Sequence, residues 1–199
     1  MRSAIVLVGG EGRRVNGMEK YFFTYLGKTF IERLIDSLQP VVDEIVLVAK
    51  SKEHCDRFSH LYEVRCVHDI RKGIGPIGGL HAGVKASRGD MLFVCACDMP
   101  CIDTRVVSAL FDALGEFDAA IPSWDTDMLE PLHAVYRKEP LRRYLDNPAS
   151  LSLRSLVKSL NVMYVPVSQL RILDPDLSSF TNINKLEDLE DLLPRNSPE

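Results

Sequence analysis

The feature that most constrains this chain is a set of short apolar runs: Ala4–Val8, Glu44–Val48 and Met91–Ala96. Each is aliphatic or β-branched on both faces, as a strand must be when helices cover a parallel sheet from both sides. Helix-type patterns separate them. Thr29–Leu38 puts Phe30, Leu34, Ile35 and Leu38 on one stripe, Gly79–Ala86 is small and helix-compatible, and Thr104–Leu114 repeats Val107, Leu110, Phe111 and Leu114. Strands alternating with helices predict an α/β fold, three layers deep, built on a mainly parallel sheet.

The second half continues with expected strands at Phe117–Ile121, Leu132–Tyr136 and Val162–Val167. Pro166 marks the last of these as an edge strand. Helices are expected over Leu141–Leu145, Ser152–Leu160 and Lys185–Leu193, the last stopped by Pro194. At about 100–200 residues per domain, 199 residues fit one. The expected division is a single domain over 1–193 and a flexible tail over 194–199.

Composition removes several function classes. Net charge is −4 and no run of Lys and Arg is long enough to coat phosphates, so no nucleic-acid partner is expected. The run Ala4–Val8 breaks at Gly9-Gly10, too short to span a bilayer or serve as a secretory leader, so no membrane partner is expected. Five cysteines, an odd number, fit a reducing, cytoplasmic location.

In open α/β sheets ligands bind outside the carboxyl ends of the strands, so the chemistry is sought in the loops that follow them. The first reads Leu7-Val-Gly-Gly-Glu-Gly-Arg-Arg-Val-Asn-Gly-Met-Glu-Lys20. Its closely spaced glycines let main-chain amides turn inward as an anion nest, and Arg13, Arg14 and Lys20 add positive charge. A phosphate site is the reading this favours over a merely flexible loop. Of two further motifs, one is excluded and the other is weak. Gly27-Lys28-Thr29 ends like a P-loop, but Phe22 stands where the required glycine would be. Gly73-Ile-Gly-Pro-Ile-Gly78 matches a dinucleotide fingerprint literally, yet Pro76 stiffens it and it lies far from the first strand.

The second strong feature is Phe93-Val-Cys-Ala-Cys-Asp98-Met-Pro100. A carboxylate at the end of a buried strand caps the next turn or serves as a hard oxygen ligand for Mg²⁺ beside substrate phosphates. Cys95, Cys97 and Cys101 lack a C-x-x-C spacing and read as small hydrophobes. The five histidines are scattered, and no Ser-His-Asp or Cys-His order supports hydrolase chemistry.

Taken together, these blocks resemble a known family. The first loop is similar to the L-A-G-G-x-x-x-R-M-G-x-x-K signature of sugar-nucleotide-type nucleotidyltransferases. Its double arginine and the ten-residue step from Gly10 to Lys20 look most like molybdenum cofactor guanylyltransferases, the MobA family. Gly75-Pro-Ile-Gly-Gly79 resembles that family's G-P-L-A-G, and Cys97-Asp-Met-Pro100 its C-D-x-P. Glu130-Pro-Leu-His-Ala-Val-Tyr136 resembles P-L-x-A-L-Y, and Phe180-Thr-Asn-Ile-Asn184 resembles F-x-N-x-N. The blocks occur in the family's order; Lys138–Leu177 carries no match.

The resemblance implies a Rossmann-like, nucleotide-diphospho-sugar transferase type of sandwich. It also implies transfer of GMP from GTP to the terminal phosphate of molybdopterin, with release of pyrophosphate and Mg²⁺ as cofactor. Gly9, Gly10 and neighbouring amides would hold base and phosphates, with Leu7 and Val8 lining the site. Arg14 and Lys20 would neutralise the triphosphate, and Asp98 would hold the metal. Asp69 looks like a nucleotide-contacting residue, its alternative being a turn cap. Asn182 and Asn184 would lie near metal or pterin, their alternative being turn asparagines. Molybdoenzymes or cofactor-insertion proteins would be the protein partners. Other readings stay open: a nucleotidyltransferase acting on cobinamide phosphate, phospholactate or a phosphosugar, a nucleotide-binding adaptor without turnover, or a nicotinamide dehydrogenase built on Gly73.

Overall fold

The apolar runs hydrogen-bond side by side in a computed structural model of the chain, which describes residues 1–8, 24–25, 27–61, 64–69, 74–124, 128–183 and 188. In chain order the strands are β1 (Arg2–Leu7), β2 (Thr24–Tyr25), β3 (Lys28–Thr29), β4 (Glu44–Ala49), β5 (Arg65–His68), β6 (Met91–Ala96), β7 (Ala119–Ser123), β8 (His133–Arg137) and β9 (Val162–Pro166). The helices are α1 (Phe30–Leu38), α2 (Lys52–Leu61), α3 (Pro76–Ala86), α4 (Thr104–Ala113), α5 (Lys138–Asp146), α6 (Leu153–Lys158) and α7 (Val167–Leu170), with a 3₁₀ turn at Ser178–Phe180.

Among the described residues β2 and β3 form a small ribbon, and the other strands form a seven-stranded sheet in the order β5-β4-β1-β6-β8-β7-β9. The block β5-β4-β1-β6 is parallel throughout. Direction reverses at β8, which runs antiparallel to both β6 and β7, and β9 closes the far edge parallel to β7. The expected mainly parallel α/β sandwich is thus the observed one, and β9 is the edge strand that Pro166 announced. Pro122 sits inside β7, but pairing with β8 ends at Ala120, so its missing N–H interrupts no ladder there.

Alternate residues of β1 feed the two faces. Ala4, Val6 and Val8 pack with Leu34 and Leu38 of α1, Phe58 of α2 and Leu110 of α4 in one core. Ile5 and Leu7 pack with Leu80 and Val84 of α3, Leu141 of α5 and Leu156 of α6 in the other. Burial of apolar surface on both faces, at about 25 cal/mol per Å², is what holds the three layers together.

Local signals set the helix starts. Thr29 caps α1: its hydroxyl accepts from the Glu32 amide at 3.3 Å, and the Glu32 carboxylate accepts from the Thr29 amide at 2.7 Å. Asp103 caps α4 by accepting from the Arg105 amide at 2.8 Å. Helix α3 lies flush on the sheet because it is glycine-rich. A Cβ on Gly83 would stand 2.5 Å from Ile5 Cγ2 and 3.0 Å from Val48 Cγ2.

The helices expected at Gly79–Ala86 and Leu141–Leu145 begin earlier, at Pro76 and Lys138. Strand β5 and helix α2 are additions to the expected set, as is α7. The final helix expected at Lys185–Leu193 and the tail at 194–199 lie outside the described residues, apart from Asp188. Among the described residues, no helix is long and apolar enough to cross a membrane.

Candidate active site

Parallel strands deliver their loops to one rim. At that rim the Leu7 carbonyl of β1 accepts from the Cys97 amide at 3.1 Å, and the Val8 amide donates to the Val48 carbonyl at 2.9 Å. The Asp69 amide donates to the Ala49 carbonyl at 3.1 Å. These main-chain bonds fix the ends of β1, β4, β5 and β6 in one row, with Asp69 half-buried at one end and Asp98 half-buried at the other. Leu7 and Val8 are 6% and 3% exposed, their side chains belonging to the two cores. What they bring to the rim is the exit of the main chain into the first loop.

Helix α3 points its N-terminus at this rim. Gly79, one turn in, stands with its Cβ position 3.5 Å from Leu7 Cδ2, which places the start of the helix over the end of β1. The N-cap is Gly75, at φ 66° and ψ −155°, a conformation that only glycine adopts readily; Pro76 follows at the first helical position. Gly75 has no side chain with which to cap the helix; the Gly78 amide donates to the Gly75 carbonyl at 3.2 Å, and the positive end of the helix faces the rim.

Asp98 follows β6 in a tight turn. Its Oδ1 is buried from solvent, a hard carboxylate oxygen of the kind a divalent cation takes. Its main-chain carbonyl accepts from the Ile183 amide at 2.7 Å. This bond brings the exposed Asn182 alongside Asp98. Among the described residues there is no cluster of three or more metal-ligating side chains. Asp98 offers the site a hard carboxylate, which suits Mg²⁺, an ion that takes one or two protein carboxylates and fills its shell with phosphate oxygens and water.

Beyond Asp98, where the sheet changes direction, lies an aromatic cluster that the sequence reading missed. His133 begins β8 opposite Cys95 and is fully buried. Its ring meets Phe93 edge-on at 5.2 Å and Phe180 at 4.8 Å. Burial pushes its imidazole down to about 4, against the opposing pull of the Asp174 carboxylate, so the ring is neutral at pH 7. Trp124 packs edge-on against Phe180 at 5.9 Å, and its indole N–H donates to Glu130 at 2.8 Å. Burial raises the Glu130 carboxyl above its ordinary value, and the indole bond pulls it back. The histidine sits within the segment Glu130–Tyr136, which was the available signal.

The structure therefore brings together Leu7, Val8, Asp69, Asp98 and Asn182 along one rim. Gly9, Gly10, Arg14, Lys20 and Asn184 lie outside the described residues, as does Gly73 of the dinucleotide decoy. Cys95 and Cys97 join the hydrophobic packing, and burial drives the Cys95 thiol far above its ordinary value, in keeping with a small hydrophobe.

Residues 4–163 match the model of the MobA-like NTP transferase domain. The chain belongs to that family. This MobA-like chain is 38% identical to a protein of Methanosarcina acetivorans named "Probable molybdenum cofactor guanylyltransferase", over 96% of this chain and 90% of the relative. It is 32% identical to the molybdenum cofactor guanylyltransferase of Desulfosudis oleivorans, over 94% of this chain and 92% of that one. Its fold superimposes on molybdopterin-guanine dinucleotide biosynthesis protein A from Archaeoglobus fulgidus with a TM-score of 0.80, at 35% identity and 96% coverage of both chains. The MobA-like chain is thus a nucleotidyltransferase of the α/β type.

Proposed function

We infer that this MobA-like chain transfers GMP from GTP to the terminal phosphate of molybdopterin, forming the guanine dinucleotide cofactor and releasing pyrophosphate. The observation that carries the reading is the rim itself. The N-terminus of α3 and the exit of β1 lie on one side, and Asp98, held beside Asn182, lies on the other.

In this reaction a phosphate oxygen of molybdopterin attacks the α-phosphorus of GTP, a new P–O bond forms, and the bond to the β-phosphate oxygen breaks in line. The attacking group is already an anion, so no strong base is required. The barrier to be lowered is repulsion between two anions and the entropy of aligning them. The main-chain amides of Gly9 and Gly10, with the start of α3, would bind the phosphates. Arg14 and Lys20 would neutralise charge that shifts toward the leaving pyrophosphate. Asp69 would contact the nucleotide at the opposite end of the strand row. Asp98 would hold Mg²⁺, with Asn182 and Asn184 nearby, and the ion would supply positive charge to the phosphate oxygens. Molybdoenzymes or cofactor-insertion proteins would receive the product, in the cytoplasm.

The test is turnover of GTP with molybdopterin, with and without Mg²⁺, with CTP, ATP and UTP as competitors. Pyrophosphate release that requires GTP, molybdopterin and Mg²⁺ together supports the reading. Equal use of another nucleotide, or of a phosphosugar in place of molybdopterin, overturns it in favour of a different transferase. GTP binding without pyrophosphate release leaves an adaptor.

A further inference from the structure

The stretch from Lys138 to Leu177 matched no family motif, yet it contains one of the few charged side chains that the described fold buries. Asp174 is 4% exposed and accepts three hydrogen bonds. Its Oδ1 accepts from the Ser178 amide at 3.2 Å and the Ser178 hydroxyl at 3.1 Å, and its Oδ2 accepts from the Ser179 amide at 2.8 Å. Its own amide donates to the Leu170 carbonyl at 3.0 Å, which anchors it to the end of α7.

This carboxylate holds a turn that the backbone would not adopt by itself. Leu177 has φ 53°, and among the described residues it is the non-glycine residue with positive φ. The chain leaves this left-handed residue directly into the 3₁₀ turn, whose first two amides are the ones Asp174 receives. A buried acceptor thus compensates a strained residue and caps the turn after it.

The turn is tied to the rim at both ends. The Ser179 hydroxyl accepts from the Asp103 amide at 2.9 Å. Phe180 is wedged between His133 and Trp124. Three residues on, the Ile183 amide reaches the Asp98 carbonyl. These contacts, which seat Asn182 beside Asp98, are made by the turn that Asp174 organises and by the residues that directly follow it.

We propose that Asp174 is a positioning residue for the transfer reaction, setting the place of Asn182 relative to Asp98 through the Ser178–Ser179 turn. This rests on the reading of Asp98 and Asn182 as the metal and acceptor side of the site. That reading puts GTP on the β1 side, so the role predicts a split between substrates.

The experiment compares wild type, Asp174→Asn and Ser178→Ala, with Asp176→Asn as an exposed control two residues away. Asp174→Asn keeps the shape but places an N–H donor or a weakened acceptor against the Ser178 and Ser179 amides. Its expected effect is a fall of about 10- to 100-fold in kcat/KM for molybdopterin, with KM for GTP within about twofold of wild type. Amide exchange over 178–183 speeds up about 10-fold or more while that of β1 and β6 stays unchanged. Ser178→Ala removes only the hydroxyl donor and gives smaller changes of the same kind, which covers the case in which Asp174→Asn fails to fold. Asp176→Asn behaves as wild type. Unchanged exchange over 178–183, faster exchange with unchanged kinetics, or an equal loss for both substrates overturns the proposal. A wild-type protein that does not turn over GTP with molybdopterin sinks the reading of the site instead, and the positioning role with it. A wild type that does, beside an equally active Asp174→Asn, removes Asp174 alone.

Discussion

The Ile183 amide donates to the Asp98 carbonyl at 2.7 Å, joining the turn after β6 to a segment that follows the whole antiparallel half of the sheet. The bond uses main-chain atoms only, so it does not itself engage the Asp98 carboxylate or the Asn182 side chain. Asn182 is exposed. Asn182→Ala is therefore expected to change folding stability by no more than about 0.5 kcal/mol. Transfer should fall about 10-fold or more. Denaturant unfolding and single-turnover rates on the same preparation check it; a full-rate variant removes Asn182 from the site.

Asp98→Asn keeps the shape of the side chain and removes its charge. Exchange of one carboxylate oxygen for an amide nitrogen conserves volume, so the variant should still fold, as denaturant unfolding would show. Its pyrophosphate release should drop at least about 100-fold and respond only weakly to added Mg²⁺. Lys20→Ala should cost about 100-fold if the ammonium supplies roughly 3 kcal/mol in the transition state. A Mg²⁺ titration of both variants is the measurement, and a wild-type response from Asp98→Asn would exclude it as the metal ligand.

His133 makes stability depend on pH. Its folded value of about 4 lies below the ordinary value of 6.5, so between those limits the unfolded chain binds more protons than the folded one. Stability contributed by the neutral ring is fully present above about pH 6.5 and is lost as pH falls toward 4. From pH 7 to pH 4.5 the loss amounts to about 2–3 kcal/mol, taking 1.36 kcal/mol per unit. His133→Phe keeps a ring between Phe93 and Phe180 and should lose less stability over that interval. Urea midpoints at the two pH values decide it, and identical pH dependence in both proteins would contradict the assignment.

Gly83 and Gly75 in and before α3 should fail differently. A methyl on Gly83 meets the β-branched, fully buried Ile5 at 2.5 Å, so Gly83→Ala pushes the helix off β1 and β4 at a cost of about 1–3 kcal/mol. A methyl on Gly75 meets nothing within 4 Å, and its cost is backbone strain of about 1–3 kcal/mol at the helix start. Both should lower the melting temperature. Gly75→Ala, which disturbs the amides at the rim, should weaken GTP binding more per kcal/mol of stability lost. Calorimetric titration with GTP beside thermal melts separates the two.

Strands buried on both faces were readable because nothing but apolar residues can fill them: Glu44–Ala49 and Met91–Ala96 stand close to where they were expected. Strand β5, Arg-Cys-Val-His, escaped because an edge strand is short and half-exposed, so its composition carries little pattern. Helix α2 escaped because its face toward the sheet is narrow, with Cys55 and Phe58 supplying the burial. At the site, Asp98 could be read from its position after a buried strand, since one strand and one loop suffice to place it. His133 could not, because its burial is made by Phe93 and Phe180, which reach it only through the tertiary fold. Asp174 is the extreme case: its bonds to Ser178 and Ser179 are local, but their consequence appears a further turn of chain away.

The reversal of strand direction between β6 and β8 also sets a schedule. The parallel block β5-β4-β1-β6 comes wholly from the first half of the chain, and the segment that docks on Asp98 comes after β9. During synthesis the rim at the ends of β5, β4, β1 and β6 therefore emerges long before the segment that docks on it. A chain stopped ahead of Ser178 would own a finished parallel block, yet the Asp98 carbonyl would lack the Ile183 amide and stand open to water.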